Sequence, residues 1–320
     1  MTPLLEVKSL CTSFFTEEGE VRAVDGVSFS VDAGKLMGLV GESGSGKTAA
    51  VLSIMRLLPE AGRIMGGEIL FEGIDLLKLP EPEMRAVRGA KIAMIFQEPM
   101  TSLNPVFTVG SQIGEAIRLH QGTSRQETRA RAIEAVRMVG IADPERRVDD
   151  YPHQLSGGMR QRVMIAMALA CNPKVLIADE PTTALDVTIQ AQILDLIREL
   201  QARLKLAVIL VTHDLGIVAE YADDVTILYS AHVMEQASAA ELFRSPLNPY
   251  TRGLLESIPG MNGKPVRRLQ AIPGTIPSAL NPPSGCRFHP RCPIAIAQCA
   301  AAVPPLQAKA PNHYVACIRA

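Results

Sequence analysis

The sequence lacks a surplus of charge of either sign and lacks any long apolar run. Lys and Arg number 32 and Asp and Glu number 33, a net charge of −1, so we expect no nucleic-acid partner, because phosphate backbones attract basic proteins. The longest uncharged apolar stretch, Val163–Cys171, is far shorter than the roughly 18–20 residues that cross a bilayer. The first residues show no basic segment followed by an apolar one, the pattern of a secretory signal. We therefore expect the chain to stay in the cytoplasm.

The composition and the pattern of apolar residues predict the fold class. Apolar residues make up 47% and charged residues 20% of the sequence, which is ordinary for a globular protein with a buried core. A chain of 320 residues accommodates one large domain and a smaller appendage. Up to about residue 258, short apolar runs alternate with helical patterns, which predicts an α/β fold with a largely parallel sheet. We place the main domain at 1–258 and a loop-rich C-terminal extension, interrupted by Pro and Gly, at 259–320.

Four apolar runs are predicted to be buried strands: Leu36–Val40, Ile92–Phe96, Val175–Ala178 and Ala207–Val211. Between the last two, apolar residues recur every three or four positions over Ile189–Leu204. This spacing is typical of an amphipathic helix that covers one face of a sheet. The three elements together predict a βαβ unit.

The segment after the first of these strands carries a glycine-rich phosphate-binding pattern. It consists of Gly41, Glu42, Ser43, Gly44, Ser45, Gly46, Lys47 and Thr48. The match to G-x-x-x-x-G-K-[ST], between a strand and a helical pattern, predicts a P-loop whose backbone N–H groups bind phosphate at a helix N-terminus. Lys47 then contacts the β- and γ-phosphates, and Thr48 ligates Mg²⁺. A glycine-rich turn with an incidental lysine is the alternative, and P-loops also serve kinases, GTPases and motors.

Two adjacent carboxylates, Asp179 and Glu180, follow the strand Val175–Ala178. Ligands of open α/β sheets bind at the carboxyl ends of the strands. Asp179 fits an acid associated with Mg²⁺, and Glu180 fits the group that polarises the water attacking the γ-phosphate. A solvated strand end is the alternative.

A Ser-Gly-Gly turn, Ser156, Gly157 and Gly158, opens the apolar helix that contains Val163–Cys171. Ser156 has the side chain of a helix N-cap, and capping is one interpretation. The other is a second anion-binding helix N-terminus. One chain does not need two such sites for one triphosphate, whereas two chains arranged head to tail need both.

These segments together resemble the ATP-binding subunits of ABC transporters, and they follow the order that this family uses. The resemblance assigns Walker A to 41–48, the Q-loop to Gln97, the signature to 155–159, Walker B to 175–179, the D-loop to 184–186 with Asp186, and the H-loop to His213. It covers nearly the whole chain to about residue 258. It implies a P-loop NTPase fold, with a RecA-like core and a helical subdomain at about 100–170.

The resemblance also implies roles for these residues. Gln97 would contact Mg²⁺ and the attacking water, and the loop after it would meet a membrane subunit. His213 would contact the γ-phosphate and orient Glu180, while the signature residues would contact ATP bound by a partner subunit. An aromatic residue would stack on adenine, with Phe14 as the first choice and Phe15 as its competitor.

The segment Ser245–Arg252 and the Pro-rich tail after it resemble the ATPases of dipeptide and oligopeptide importers. This resemblance implies ATP-driven peptide import, with the chain attached to the cytoplasmic face of the membrane. The implied partners are a second, non-identical ATPase subunit, two transmembrane permease subunits and, indirectly, an extracytoplasmic solute-binding protein. Nickel or another small solute stays open as the cargo, and a soluble ABC ATPase or a small-molecule kinase is a more distant alternative.

The tail contains four of the six cysteines: Cys286, Cys292, Cys299 and Cys317. In a reducing compartment such clustering favours a metal site over disulfides, and four thiolates suffice for an iron–sulfur cluster or a tetrahedral Zn²⁺. Some members of the peptide-importer branch carry a [4Fe–4S] cluster here, so the resemblance implies one in this chain. His289 or His313 could replace one ligand of a zinc ion. Four unligated cysteines are the alternative.

Overall fold

A computed structural model describes residues 3–97, 102–183, 185–258 and 272–320. The chain forms two compact units, the first from residues 1–32, 36–77 and 211–320 and the second from residues 33–35 and 78–210. The beginning of the predicted extension, the segment directly after Gln97 and Ala184 of the D-loop lie outside the described residues. In the described ranges, no helix combines the length and the apolar character that a membrane crossing requires.

The first unit contains an antiparallel sheet of four strands. β1 (Leu5–Thr16) lies between β2 (Gly19–Val31) and β4 (Gly62–Phe71), and β5 (Ile74–Asp75) pairs with the outer side of β4. Leu5 pairs with Val31 on one side and with Phe71 on the other. Register shifts break the alternation of buried and exposed residues along β1. A period-2 pattern is therefore weak in the sequence, and the sequence analysis did not predict this sheet.

A second set of strands in the first unit runs in the order β3, β9, β10, β12 and β11. The strands are β3 (Leu36–Val40), β9 (Asp224–Tyr229), β10 (His232–Ser238), β11 (Gln307–Ala310) and β12 (His313–Val315). β3 and β9 are parallel, and the remaining pairs are antiparallel. The tail therefore adds two strands to the sheet, which the sequence analysis did not predict.

The described residues of the first unit form four helices: α1 (Lys47–Met55), α8 (Leu215–Tyr221), α9 (Ala239–Arg244) and α10 (Pro249–Glu256). α1 ends at Met55, and its C-cap Arg56 has a positive φ of 51°. α8 packs closely on β3, because a Cβ on Gly38 would lie 2.9 Å from a methyl group of Val218. The core beside these helices contains the side chains of Tyr229, Tyr250 and Phe288.

The second unit contains strands in the order β8, β7, β6. They are β6 (Ile92–Ile95), β7 (Val175–Asp179) and β8 (Ala207–Thr212), and β6 is parallel to β7. Every residue of β7 and β8 is buried, as expected for strands covered on both faces. The strands predicted at these positions are confirmed with shifts of one residue at their ends, and the strand predicted at Leu36–Val40 is confirmed as β3.

The described residues of the second unit form the helices α2 (Glu81–Val87), α3 (Val109–Gln121), α4 (Arg125–Met138), α5 (Pro144–Arg147), α6 (Gly157–Leu169) and α7 (Val187–Leu204). Side chains cap the N-termini of α3, α4, α6 and α7, whereas α2 and α5 have no side-chain cap. Ser124 and Glu127 form a reciprocal capping box at the start of α4, which satisfies two backbone donors that a helix N-terminus leaves unpaired. α7 confirms the amphipathic helix predicted over Ile189–Leu204.

The described part of the tail is mostly irregular, as its Pro and Gly content predicts. It contains two short 3₁₀ turns, His289–Arg291 and Ala297–Ala300, besides β11 and β12. Phe288 is buried against Tyr229 and Tyr250, with ring centroids 5.3 Å and 5.2 Å away. The tail thus belongs to the same compact unit as residues 211–258, and the domain boundary at 258/259 stays a prediction.

Candidate functional site

The P-loop connects β3 to α1, and its glycines allow the close approach of neighbouring backbone. A Cβ at Gly41 would lie 2.2 Å from the carbonyl oxygen of Leu228, and a Cβ at Gly46 would lie 2.1 Å from that of Ala23. Gly46 also has a φ of 102°, which residues with a side chain rarely adopt. The pattern predicted as a phosphate-binding loop therefore forms a tight turn at a helix N-terminus, the geometry that anion binding requires.

Lys47 lies along the P-loop and is buried, with a relative exposure of 5%. Its Nζ donates hydrogen bonds to the carbonyl oxygens of Gly41 at 2.7 Å and Glu42 at 3.0 Å. Ser43, Gly44 and Thr48 are exposed. The ammonium group is thus held against the backbone at the start of the P-loop, and its contact with phosphate stays a prediction.

Two contacts of Glu42 involve residues that the sequence analysis missed. Its backbone N–H donates to the hydroxyl of Tyr250 at 3.1 Å, and its carboxylate accepts two hydrogen bonds from Arg291 at 2.7 Å and 3.2 Å. Both partners lie more than 200 positions further along the chain, and no local pattern of the sequence marks them.

In the second unit, β7 ends in the buried Asp179, and Glu180 follows with a positive φ of 44°. The Nε2 of Gln97 donates to Oε2 of Glu180 at 3.0 Å, and the Thr183 hydroxyl donates to the same oxygen at 3.1 Å. Left-handed backbone at a non-glycine residue costs about 1–3 kcal/mol and is concentrated at functional sites. The structure therefore brings the predicted Q-loop residue to the predicted catalytic carboxylate.

Ser156 caps α6, since its hydroxyl accepts a hydrogen bond from the N–H of Met159 at 3.3 Å. The capping interpretation is therefore confirmed. It leaves the second interpretation open, because Ser156 and Gly157 are exposed and the first N–H groups of a helix have no partner within the helix. Gly158 lies close to α7, where an added Cβ would meet Ile189 at 3.0 Å.

Asp186 directly precedes α7, and His213 lies between β8 and α8. Asp186 caps α7 by accepting from the N–H of Ile189 at 3.0 Å. His213 is exposed directly after β8, and the next residue, Asp214, caps α8 through the N–H of Gly216 at 2.7 Å. Each predicted residue is therefore either a helix cap itself, as Asp186 is, or the neighbour of one, as His213 is.

Phe14 and Phe15 both lie near the end of β1. Phe14 is half-buried and packs over Gly62, where an added Cβ would lie 2.9 Å from its ring. Phe15 is 43% exposed, and the guanidinium carbon of Arg63 lies 5.6 Å from its ring centroid. Each ring keeps exposed surface, and the assignment of the adenine contact to Phe14 stays a prediction.

The four cysteines of the tail line one cavity: Cys286, Cys292, Cys299 and Cys317. The N–H of Cys286 donates to the carbonyl oxygen of Cys299 at 2.8 Å. Burial raises the pKa of the Cys286 and Cys292 thiols, and the neighbouring cysteines raise it further. All six cysteines of the chain are free thiols. Among the described residues, no group of three or more His, Cys, Asp or Glu side chains is arranged to hold a metal ion.

The two histidines named as alternative zinc ligands lie in different surroundings. His289 lines the cysteine cavity, and its Nδ1 forms a hydrogen bond with the carbonyl oxygen of Cys286 at 2.8 Å. His313 is 2% exposed and pairs through Nε2 with Glu235 at 2.7 Å. His313 is not among the residues that line the cysteine cavity, and only its Nδ1 is left for a metal; its role as an alternative zinc ligand stays a prediction.

Comparison with known proteins agrees with the geometry of both units. The model of the ABC transporter family matches residues 24–183, and the model of the oligopeptide/dipeptide transporter C-terminal region matches residues 234–299. The dipeptide transport ATP-binding protein DppD of Escherichia coli is 50% identical over 314 residues, 98% of this chain and 96% of that protein. The oligopeptide transport ATP-binding protein AppD of Bacillus subtilis is 52% identical over 300 residues, 93% of this chain and 91% of that protein.

A solved structure shows the same fold. The ATP-binding cassette MJ0796, a dimer in a post-hydrolysis state with bound ADP and Pi, superposes with a TM-score of 0.65 and 28% sequence identity. The match covers 73% of this chain and 98% of the cassette. The chain therefore belongs to the ABC transporter family, as an ATP-binding and ATP-hydrolysing subunit with the C-terminal region of the oligopeptide/dipeptide transporters.

Proposed function

We propose that this chain hydrolyses ATP to drive the import of dipeptides or oligopeptides through a membrane transporter. The observation that carries the proposal is the match of residues 234–299 to the oligopeptide/dipeptide C-terminal region, together with the packing of that region against the nucleotide-binding loop. The relatives cited above are described as dipeptide or oligopeptide transport proteins, which favours peptides over nickel as the cargo.

The P-loop residues bind the triphosphate in this proposal. Backbone N–H groups of 41–46, other than that of Glu42, which donates to Tyr250, contact the phosphates. Lys47 neutralises the β- and γ-phosphates, and Thr48 ligates Mg²⁺. The burial of Lys47 along the loop supports its role, since an ammonium group already held there loses little side-chain entropy when phosphate binds. Phe14 supplies the adenine contact, with Phe15 as the competitor.

Hydrolysis depends on the carboxylates after β7. Asp179 associates with Mg²⁺, Glu180 polarises the attacking water, and Gln97 contacts Mg²⁺ and the same water. The 3.0 Å hydrogen bond from Gln97 to Glu180 supports this assignment, because it fixes the direction of the carboxylate before substrate binds. His213 contacts the γ-phosphate, while Ser156, Gly157, Gly158 and Asp186 serve the ATP-bound dimer with a partner subunit.

Replacing the water-polarising carboxylate tests this mechanism. Glu180→Gln keeps the hydrogen-bonding shape of the side chain and removes its basicity, so we expect Mg-ATP binding to persist and turnover to fall by about 10²–10⁴-fold. Glu199→Gln, at an exposed position on α7, is the matched control and should hydrolyse ATP at the wild-type rate. Normal ATPase activity in Glu180→Gln would show that another group activates the water.

The partners are a second, non-identical ABC ATPase and two transmembrane permease subunits, which place the chain on the cytoplasmic face of the membrane. An extracytoplasmic solute-binding protein acts through the permeases. Affinity purification of the tagged chain from detergent-solubilised membranes should recover these subunits. Recovery of two copies of this chain alone would contradict the heteromeric assembly.

The substrate class is tested in the reconstituted transporter. Dipeptides and oligopeptides presented with the solute-binding protein should stimulate ATP hydrolysis, and Ni²⁺ should not. Stimulation by Ni²⁺ and not by peptides would assign the chain to a nickel importer.

The cysteine cavity is the proposed site of an iron–sulfur cluster. Four thiols line one cavity, and thiolates are the ligands that such clusters use. When bound, the cluster would cross-link four points of a tail that has few regular elements. Because burial raises the pKa of Cys286 and Cys292, the thiols stay protonated until metal displaces the protons.

Anaerobic purification tests this site. The wild-type protein should absorb visible light and contain about four iron atoms per chain. Cys286→Ser should lose both, and Cys171→Ser, a cysteine on the other unit, should keep both. A colourless protein that contains one zinc atom per chain would replace the cluster by Zn²⁺, and a colourless protein without metal would refute both.

A further inference from the structure

We propose that Arg291 and Tyr250, called here the tail clamp, position the P-loop for nucleotide, so that the C-terminal region sets the affinity of the chain for Mg-ATP. The inference rests on the proposed binding of ATP by the P-loop. Both residues are positioning residues, since they contact the loop through Glu42 and reach no phosphate-binding group directly.

Arg291 binds the carboxylate of Glu42 with two nitrogens. Its Nη1 donates at 2.7 Å and its Nη2 at 3.2 Å to the two carboxylate oxygens. The Arg291 side chain is 5% exposed and that of Glu42 is 24% exposed. Paired, partly desolvated hydrogen bonds between charged groups are stronger than neutral ones and fix the relative orientation of both groups.

The guanidinium group of Arg291 is itself held on all sides. It donates to the Tyr229 hydroxyl at 3.3 Å and to the carbonyl oxygens of Ile272 at 3.3 Å and Pro273 at 3.1 Å. Its carbon also lies 5.7 Å from the ring centroid of Tyr229. Arg291 is therefore a rigid bridge between the tail and the loop.

Tyr250 supplies the second contact. Its side chain is fully buried, and its hydroxyl accepts from the backbone N–H of Glu42 at 3.1 Å. Its ring packs against Tyr229 and Phe288, with centroids 4.6 Å and 5.2 Å away. Burial raises the pKa of Tyr250, so the hydroxyl stays neutral and does not repel the nearby carboxylate.

Glu42 connects the tail clamp to Lys47, the predicted phosphate-binding lysine. The carbonyl oxygen of Glu42 accepts from Nζ of Lys47 at 3.0 Å, while its N–H and its carboxylate bind the tail clamp. All three polar groups of one loop residue are thus fixed. A loop held in its binding geometry loses less entropy when a ligand arrives, and this raises affinity.

The clamp also adjoins the cysteine cavity. Arg291 directly precedes Cys292, and Phe288, which packs on Tyr250, lines the same cavity. A change at the cysteine cavity can therefore reach the P-loop through the neighbouring residue Arg291 and through the packing of Phe288 on Tyr250. A role confined to docking the tail would not require the carboxylate of a P-loop residue as the partner.

The test measures Mg-ATP affinity and thermal stability of the full-length chain side by side. If Arg291→Gln reduces the fraction of molecules with a binding-competent loop to about a tenth, the dissociation constant rises about tenfold. The ATPase KM of the assembled transporter should rise by a similar factor while kcat at saturating ATP stays within about twofold. Tyr250→Phe keeps the ring packing and removes only the hydroxyl. It should also raise both the dissociation constant for Mg-ATP and the KM.

Two further variants give the comparison its controls. Arg287→Gln removes another partly buried arginine of the tail, whose Nη2 lies 3.7 Å from Asp25, and should lower thermal stability without changing the affinity for Mg-ATP. Arg291→Lys keeps the charge and loses the two-pronged geometry, so its affinity should fall between wild type and Arg291→Gln. Combining Glu42→Gln with Arg291→Gln should weaken binding no further than Arg291→Gln alone, because both remove one interaction.

The outcomes separate this inference from the proposed function. Wild-type affinity in Arg291→Lys, Arg291→Gln and Tyr250→Phe, with stability lowered as in Arg287→Gln, would overturn the clamp and leave ATP binding intact. A wild-type chain that binds no Mg-ATP would instead refute the function on which the clamp rests. Should Arg291→Gln fail to fold, Tyr250→Phe and Arg291→Lys carry the same comparison.

Discussion

Removing the carboxylate of Glu235 should destabilise the first unit by about 3–5 kcal/mol. Glu235 lies on β10 with no exposed surface, and its oxygens accept from Nε2 of His313 at 2.7 Å, from the N–H of Leu247 at 2.7 Å and from the N–H of Asn248 at 3.0 Å. Glu235→Ala leaves two buried donors and one partly buried donor without this acceptor, at about 1–3 kcal/mol each. Relaxation and water entry at the created cavity reduce the sum to the range given above.

Urea unfolding of the full-length chain measures this loss as a shift of the transition midpoint. Hydrogen exchange of Ala316, whose N–H donates to Met234 at 2.9 Å, should accelerate in the same variant, because β12 pairs with β10 beside Glu235. Glu134→Ala, which removes an exposed ion-pair partner of Arg137, is the control and should change stability by less than about 1 kcal/mol. A loss below about 1 kcal/mol in Glu235→Ala would show that the three hydrogen bonds contribute little.

Three other predictions concern single positions. Gly46→Ala should cost at least about 2 kcal/mol more in urea unfolding than Gly44→Ala, since both have positive φ but only Gly46 would bring a Cβ to 2.1 Å from a backbone oxygen; equal costs would contradict this. Burial lowers the pKa of His232 from its ordinary 6.5, so the unfolded chain binds the proton first and stability falls as the pH drops below about 6.5; His232→Asn should lose less stability than wild type between pH 7.5 and 5.5, and equal losses would refute the linkage. Asp149→Asn should shift the unfolding free energy by less than about 1 kcal/mol, because Asp149 and Arg129 are both more than half exposed, and a larger shift would show that this surface pair matters.

The buried strands and the P-loop could be predicted because local sequence determines them. The run Val175–Ala178 is apolar at every position, which is typical of a strand covered on both faces. The P-loop pattern and the cap at Ser156 depend on residues within a few positions of each other. In each case the residues that determine the local structure lie within a few positions of one another, so a sequence pattern can contain all of them.

The rest depends on contacts between distant segments. β1 and β4 pair through shifted registers that blur their alternation, and β12 is only three residues long, too short for a pattern. The contact from Arg291 to Glu42 spans 249 positions, and neither residue is unusual in its local sequence. The same holds for the pairing of His313 with Glu235, which lie 78 positions apart.

The division of the first unit into three chain segments has a consequence for its synthesis. The second unit comes from one nearly continuous stretch, 78–210, whereas β3 of the first unit finds its parallel partner β9 only at 224–229, and the tail strands follow at 307–315. At about 5–20 residues per second, a ribosome needs roughly 5–20 s to translate residues 211–315. During this interval β3 lacks its partner β9, and Glu42 of the P-loop lacks its contacts with Tyr250 and Arg291. Nucleotide can therefore reach a finished loop only after translation has nearly ended.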